Sequence, residues 1–123
     1  LESGMYFDAD IPVDVMQKEV GNYIKITGAS FGKDRQMSGE MTKMGVNKAT
    51  GMQRLMDELK IGREDTIAFG DGPNDVEMLQ FAGTGVAMGN AIEILKQNAD
   101  YVTDEIGKDG VWNACVKLNL IQP

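Results

Sequence analysis

The chemistry this chain of 123 residues could do concentrates at Gly70-Asp71-Gly72-Pro73-Asn74-Asp75. Two carboxylates four apart, with Asn74 beside the second, make an oxygen-rich cluster. Hard cations such as Mg2+ take one or two carboxylates and complete the shell with water and a phosphate oxygen. The glycines let the backbone turn sharply and approach a ligand. Pro73 falls near the first position of a following helix, whose free N–H groups suit an anion. The same residue types also make ordinary surface turns, so composition alone leaves both readings open. Lys48 is the second candidate. It opens a helix, where the macrodipole disfavours a cation by roughly a few tenths of a kcal/mol. A charge in such a place points to an anion nearby; the alternative is a solvated lysine. Asp8-Ala9-Asp10 could in principle bind metal or supply a nucleophile. Only Met5-Tyr6-Phe7 precedes it, too short an apolar run for a strand, so a surface loop is expected there. The chain has no His, which leaves acid–base work to carboxylates, Lys or Tyr. Its one cysteine, Cys115, lies in an apolar-periodic stretch and reads as a small buried hydrophobe.

The elements that must position these residues follow from periodicity. Pro12 to Val20 reads as a short helix, with Val13, Met16 and Val20 on one face and Gly21-Asn22 ending it. Tyr23 to Thr27 is β-branched and aromatic, hence a strand. Gln36 to Met44 is a second, poorer strand weakened by Gly39. Residues 12–44 are therefore expected to form one helix and two strands, α-β-β. Lys48 to Leu59 is a helix with Met52, Leu55, Met56 and Leu59 on one face. Thr66 to Phe69 is a short continuous apolar run, as in a buried parallel strand, and is expected to be the most buried one. Val76, Leu79 and Ala82 mark a helix, Gly85 to Met88 a strand, and Ile92 to Asn98 a helix. Tyr101-Val102 is a brief strand and Lys108 to Leu118 a closing helix. Strands alternating with helices imply right-handed crossovers and a parallel sheet, an α/β fold. In such sheets ligands gather at the carboxyl ends of the strands, which is where the 70–75 cluster falls.

Composition excludes several classes. The hydrophobic fraction is 42% and the charged fraction 25%, ordinary for a globular chain. Lys and Arg total 12 against 19 Asp and Glu, a net charge of −7, which argues against nucleic acid or an anionic membrane as partner. No apolar run approaches the roughly 18 residues of a membrane span. Leu1-Glu2-Ser3-Gly4 has no signal-peptide shape and one cysteine permits no internal disulfide, so a cytoplasmic protein is expected. No initiator Met precedes Leu1, and the chain is expected to begin inside a longer parent.

Gly70-Asp71-Gly72-Pro73-Asn74-Asp75 resembles the fourth motif, G-D-x-x-N-D, of the haloacid dehalogenase-like superfamily. Gly45-Val46-Asn47-Lys48-Ala49-Thr50-Gly51, then Val86-Ala87-Met88-Gly89-Asn90-Ala91 and Ala99-Asp100-Tyr101-Val102-Thr103, resemble its Cof-type sugar-phosphatase subfamily, in the family's order and spacing. The resemblance implies the C-terminal part of a Rossmann-like parallel α/β core over 45–123. It implies a partial cap domain, the α-β-β piece, over 1–44. It further implies a Mg2+-dependent phosphatase acting on small phosphorylated metabolites. By position, Lys48 resembles the lysine that neutralises phosphate and nucleophile. Asp71 resembles the direct metal ligand, Asp75 a supporting carboxylate at the metal, and Asn74 a phosphate or substrate contact.

The family's first motif, an apolar strand followed by D-x-D-G-T, and its Ser/Thr second motif have no counterpart here. Asp8-Ala9-Asp10 is followed by Ile11-Pro12 and lies only about 40 residues before Lys48, whereas the family inserts an entire cap there. No nucleophile is therefore expected in this chain, which reads as a fragment. P-type ion pumps share a G-D-G-x-N-D run, but Asn90-Ala91 and a polar-faced last helix favour the Cof type. A truncated, non-catalytic binding module that keeps a metal and phosphate half site is the remaining alternative. A half-sheet with an uncovered edge would also favour self-association.

Overall fold

The computed structural model describes residues 3–7, 11–28 and 38–122. The chain divides into two compact units, Leu1–Asn47 and Lys48–Pro123.

In the first unit, strands β1 (Ser3–Phe7), β2 (Ile24–Gly28) and β3 (Ser38–Lys43) form an antiparallel sheet in the order β1-β3-β2. Helix α1 (Val13–Val20) starts at Pro12, whose carbonyl accepts from the amides of Val15 and Met16, and stops at Gly21, where φ is +63°. That left-handed turn is open to glycine at little cost. Gln17 ties the helix to β2. Its Nε2 donates to the carbonyls of Gly21 and Ile24, both at 3.0 Å, and its Oε1 accepts from the Ile26 amide at 2.7 Å.

The expected α-β-β piece is thus β-α-β-β. The segment Met5-Tyr6-Phe7, read as too short for a strand, pairs with β3 over five residues. Its partner is distant in sequence, so a local pattern carries little of the signal. The poorer strand turns out to be the central one. Gly39 costs β3 side-chain packing, yet the strand gains hydrogen-bonded neighbours on both edges, and Gly39 is buried between Tyr6 and Gly28 in register. Asp8-Ala9-Asp10 lies outside the described residues.

The second unit runs α2 (Lys48–Leu59), β4 (Ile67–Gly70), α3 (Val76–Phe81), β5 (Thr84–Ala87), α4 (Glu93–Gln97), β6 (Tyr101–Val102) and α5 (Gly110–Lys117). Single 3-10 turns at Pro73–Asp75 and Ile106–Lys108 lead into α3 and α5. The three strands pair parallel in the order β4-β5-β6, as the alternation of strands and helices predicts. The core gathers Ala68, Leu79, Ala82, Ala87, Met88, Ala91 and Leu95. Arg63 closes the far end of α3, donating to the carbonyls of Gln80 at 3.0 Å and Ala82 at 3.3 Å.

Three burial expectations are corrected. The most buried strand is β5, with Val86 and Ala87 fully enclosed, and not the 66–69 segment. β5 is flanked on both sides, whereas β4 pairs on one side only among the described residues, so Ile67 and Phe69 stay half-buried. On α2, Met56 is buried but Leu55 and Leu59 are each 58% exposed. The apolar stripe is about 100° wide on a helical projection, and only its Met52–Met56 edge reaches the core. Cys115 is half-buried, not fully enclosed.

The close approach of α3 to β5 depends on one missing side chain. A Cβ on Gly85 would stand 2.5 Å from the carbonyl oxygen of Leu79. Gly85→Ala is expected to destabilise this unit by about 1–3 kcal/mol through overpacking, seen as a lowered urea midpoint. An unchanged midpoint would mean that α3 recedes freely from the sheet.

Candidate active site

The carboxyl end of β4 sets the site. Gly70 ends the strand, and its carbonyl accepts from the Met88 amide at 2.9 Å, so the turn that follows starts from a fixed point. Asp71 and Gly72 then lead into the turn at Pro73–Asp75, which bends the chain back so that Asp75 lies under the loop. Asp75 is 4% exposed. Its Oδ2 accepts from the backbone amides of Asp71 at 3.0 Å and Gly72 at 3.1 Å. Its Oδ1 accepts from Lys48 Nζ, brought in from the first turn of α2. A Cβ on Gly70 would stand 2.5 Å from the Asp75 Cβ, so the carboxylate occupies the room a side chain would take.

This arrangement answers two questions raised by the sequence. The anion that draws Lys48 to a helix start is Asp75. The loop amides that would suit an anion already hold one, the same carboxylate. Burial by itself pushes the Asp75 carboxyl up. Lys48 and the amides of Gly72 and Asp71 outweigh it and hold the group below the usual carboxylate range.

Asp71 faces the other way. It is exposed, and Asn90 Nδ2 donates to its Oδ2 at 3.4 Å. Asn74, half-buried, sits over the loop, with Oδ1 3.1 Å from where a Cβ on Gly72 would stand. The structure therefore brings Lys48, Asp71, Asn74 and Asp75 to one strand end and gives them different surroundings. Asp75 has both Oδ2 lone pairs and one on Oδ1 engaged by protein donors, which suits it to positioning. Asp71 has a carboxylate open to a ligand. Sequence reasoning used Asn90 as a mark of the resemblance but gave it no place among the site residues. Its signal was its place just past the end of β5, next to β4 in a parallel sheet.

The profile of the haloacid dehalogenase-like hydrolases matches residues 6–115. The chain belongs to that family. An uncharacterized protein in the pdhA 5' region of Geobacillus stearothermophilus is 44% identical over 91 residues, which are 74% of this chain and 96% of that one. The Bacillus subtilis 5-amino-6-(5-phospho-D-ribitylamino)uracil phosphatase YitU is 53% identical over 72 residues, 58% of this chain and 27% of that enzyme. Among solved structures, the subclass IIB sugar phosphatase BT4131 matches with a TM-score of 0.79 at 32% identity, covering 98% of this chain and 44% of that one. The chain thus spans less than half the length of either named phosphatase. Among the described residues, no helix is long and apolar enough to cross a membrane.

Proposed function

We propose that this chain carries one side of a Mg2+-dependent phosphatase site that acts on small phosphorylated metabolites, sugar phosphates among them. One observation carries the reading: at the end of a parallel strand, Lys48 is locked onto the buried Asp75 while the Asp71 carboxylate is left exposed beside them. Phosphoryl transfer asks for positioning and charge neutralisation more than covalent chemistry from the protein, and this arrangement supplies both. The donor set fits a hard cation. Asp71 offers one exposed carboxylate, and an ion that keeps most of its water can lean on one carboxylate and a phosphate. Asp71 would hold it, and when bound it would neutralise charge on the phosphoryl oxygens. Lys48 keeps two N–H donors beyond the one on Asp75 and directs them at a phosphate oxygen. Asp75 fixes the lysine and folds the loop, and with the Oδ1 lone pair left to it it supports the metal through water. Asn74 contacts the phosphate or the substrate beside it.

The nucleophile lies outside these 123 residues in this reading. The share of the two phosphatases that the chain spans, 27% and 44%, supports that division. The chain alone is therefore expected to release no phosphate from sugar phosphates in the presence of Mg2+. It should bind Mg2+ weakly, with Kd roughly millimolar because one carboxylate is a thin anchor, and Asp71→Asn should remove that binding. Turnover that disappears in Asp8→Ala would put the nucleophile at Asp8-Ala9-Asp10. Mg2+ binding untouched by Asp71→Asn would make Asp71 a turn residue and defeat the reading.

A further inference from the structure

We propose that Asn90 is a positioning residue that aims the Asp71 carboxylate and ties it to the turn at Ile106–Lys108. The inference rests on the reading of Asp71 as the Mg2+ anchor. The two ends of the Asn90 amide are assigned by chemistry. Its Oδ1 accepts the Ile106 N–H at 3.0 Å, so Nδ2, the donor end, faces Asp71 Oδ2 at 3.4 Å. The flipped amide would set oxygen against carboxylate and N–H against N–H, unfavourable at both ends.

The backbone reinforces the same link. The Asp71 carbonyl accepts from the Ile92 amide at 3.2 Å, so the segment from Met88 to Ile92 grips Asp71 at both its carbonyl and its side chain. That segment is itself pinned. The Gly89 amide donates to the Asp104 carbonyl at 3.1 Å, and a Cβ on Gly89 would stand 2.7 Å from the Glu105 nitrogen. Asn113 of α5 holds the next layer, its Nδ2 donating to Asp104 Oδ2 at 2.9 Å and to the Lys108 carbonyl at 3.0 Å. Helix α5 fixes the turn, the turn fixes Asn90, and Asn90 holds one oxygen of the exposed Asp71 carboxylate, leaving the other without a side-chain donor among the described residues. Without Asn90, the Asp71 side chain has no other side-chain donor among the described residues and sits between two glycines.

Partners of this kind, one step back from a metal ligand, typically change metal affinity by 10–100-fold. The long, exposed contact places Asn90 at the low end, about tenfold. The test is Mg2+ titration of the 123-residue chain by NMR, with Asn90→Ala, Asn113→Ala and Asp71→Asn compared. Asn90→Ala is expected to weaken Mg2+ binding about tenfold and to leave the Gly72 amide resonance and the urea midpoint unchanged. Asn113→Ala should weaken it less. If Asp71→Asn abolishes binding and Asn90→Ala has no effect, the positioning role is wrong while the site reading stands. If Asp71→Asn has no effect on Mg2+, the site reading fails, and the metal-free spectra decide the clamp by themselves. Asp71→Ala should then still shift the Asn90 side-chain amide signals, and Asn90→Ala should still speed hydrogen exchange at the Ile106 amide. Spectra in which neither moves would overturn it.

Discussion

Replacing Asp75 with Ala is expected to cost about 2–6 kcal/mol of stability, most of it from two backbone groups and little from the ion pair. The amides of Asp71 and Gly72 lose their acceptor, and each part-buried donor left unsatisfied costs about 1–3 kcal/mol. The Lys48 side chain is 47% exposed, so its charge returns to water and adds little. Asp75→Asn separates these contributions. Its side-chain oxygen can still take the two amides, while its NH2 group faces Lys48 and repels it, so most of the stability should remain.

The same carboxylate sets an acid limit. Its pKa in the folded chain lies below the ordinary Asp value of about 3.9, since Lys48 and the loop amides favour the charged form over burial. Between the two values the unfolded chain binds more protons, so stability rises with pH. The contribution is fully present above about pH 4 and is lost as pH falls through the folded value. Urea midpoints at pH 7 and pH 3 check this: the fall toward acid should be smaller in Asp75→Asn than in the unsubstituted chain. Equal falls would mean that Asp75 is not held charged by the fold.

What the sequence reveals and what it conceals divide along physical lines. The Lys48–Leu59 helix is legible from its periodicity, and the 66–69 strand from a continuous apolar run that ends at a turn cluster. The motif at 70–75 is legible because Gly, Pro and Asp fix a turn at a strand end. β1 is not, because five residues become a strand only through β3, more than 30 residues away. The burial order of β4 and β5 is not, because it depends on which strand stands in the middle. Asp71 and Asp75 look equivalent as letters. Only the fold separates them, placing one carboxylate under two amides and a lysine and the other in the open. Asn90 acts on a residue 19 positions earlier, through a parallel register that no local pattern announces.

Once the nucleophile is supplied in a longer chain, Lys48→Ala is expected to lower kcat/KM for phosphate release by about 10²–10³, the usual cost of removing one donor aimed at developing charge. Its effect on stability should be small, since the side chain is half in solvent, and that separates it from Asp75→Ala. Lys117 serves as the control. Its ammonium lies over the Tyr101 ring at 4.2 Å, away from the β4 loop in sequence and in contacts, and Lys117→Ala should leave kcat/KM within about twofold, as a surface change does. Gly70→Ala gives a third arm without touching a charge. The added Cβ would meet the Asp75 Cβ at 2.5 Å, displace the carboxylate and with it Lys48, and so should reproduce much of the activity loss. If Lys48→Ala stays within about threefold of the unsubstituted protein, far short of the cost of a lost charge-stabilising donor, the lysine's role ends at its pair with Asp75. The phosphate would then have to be met by other residues.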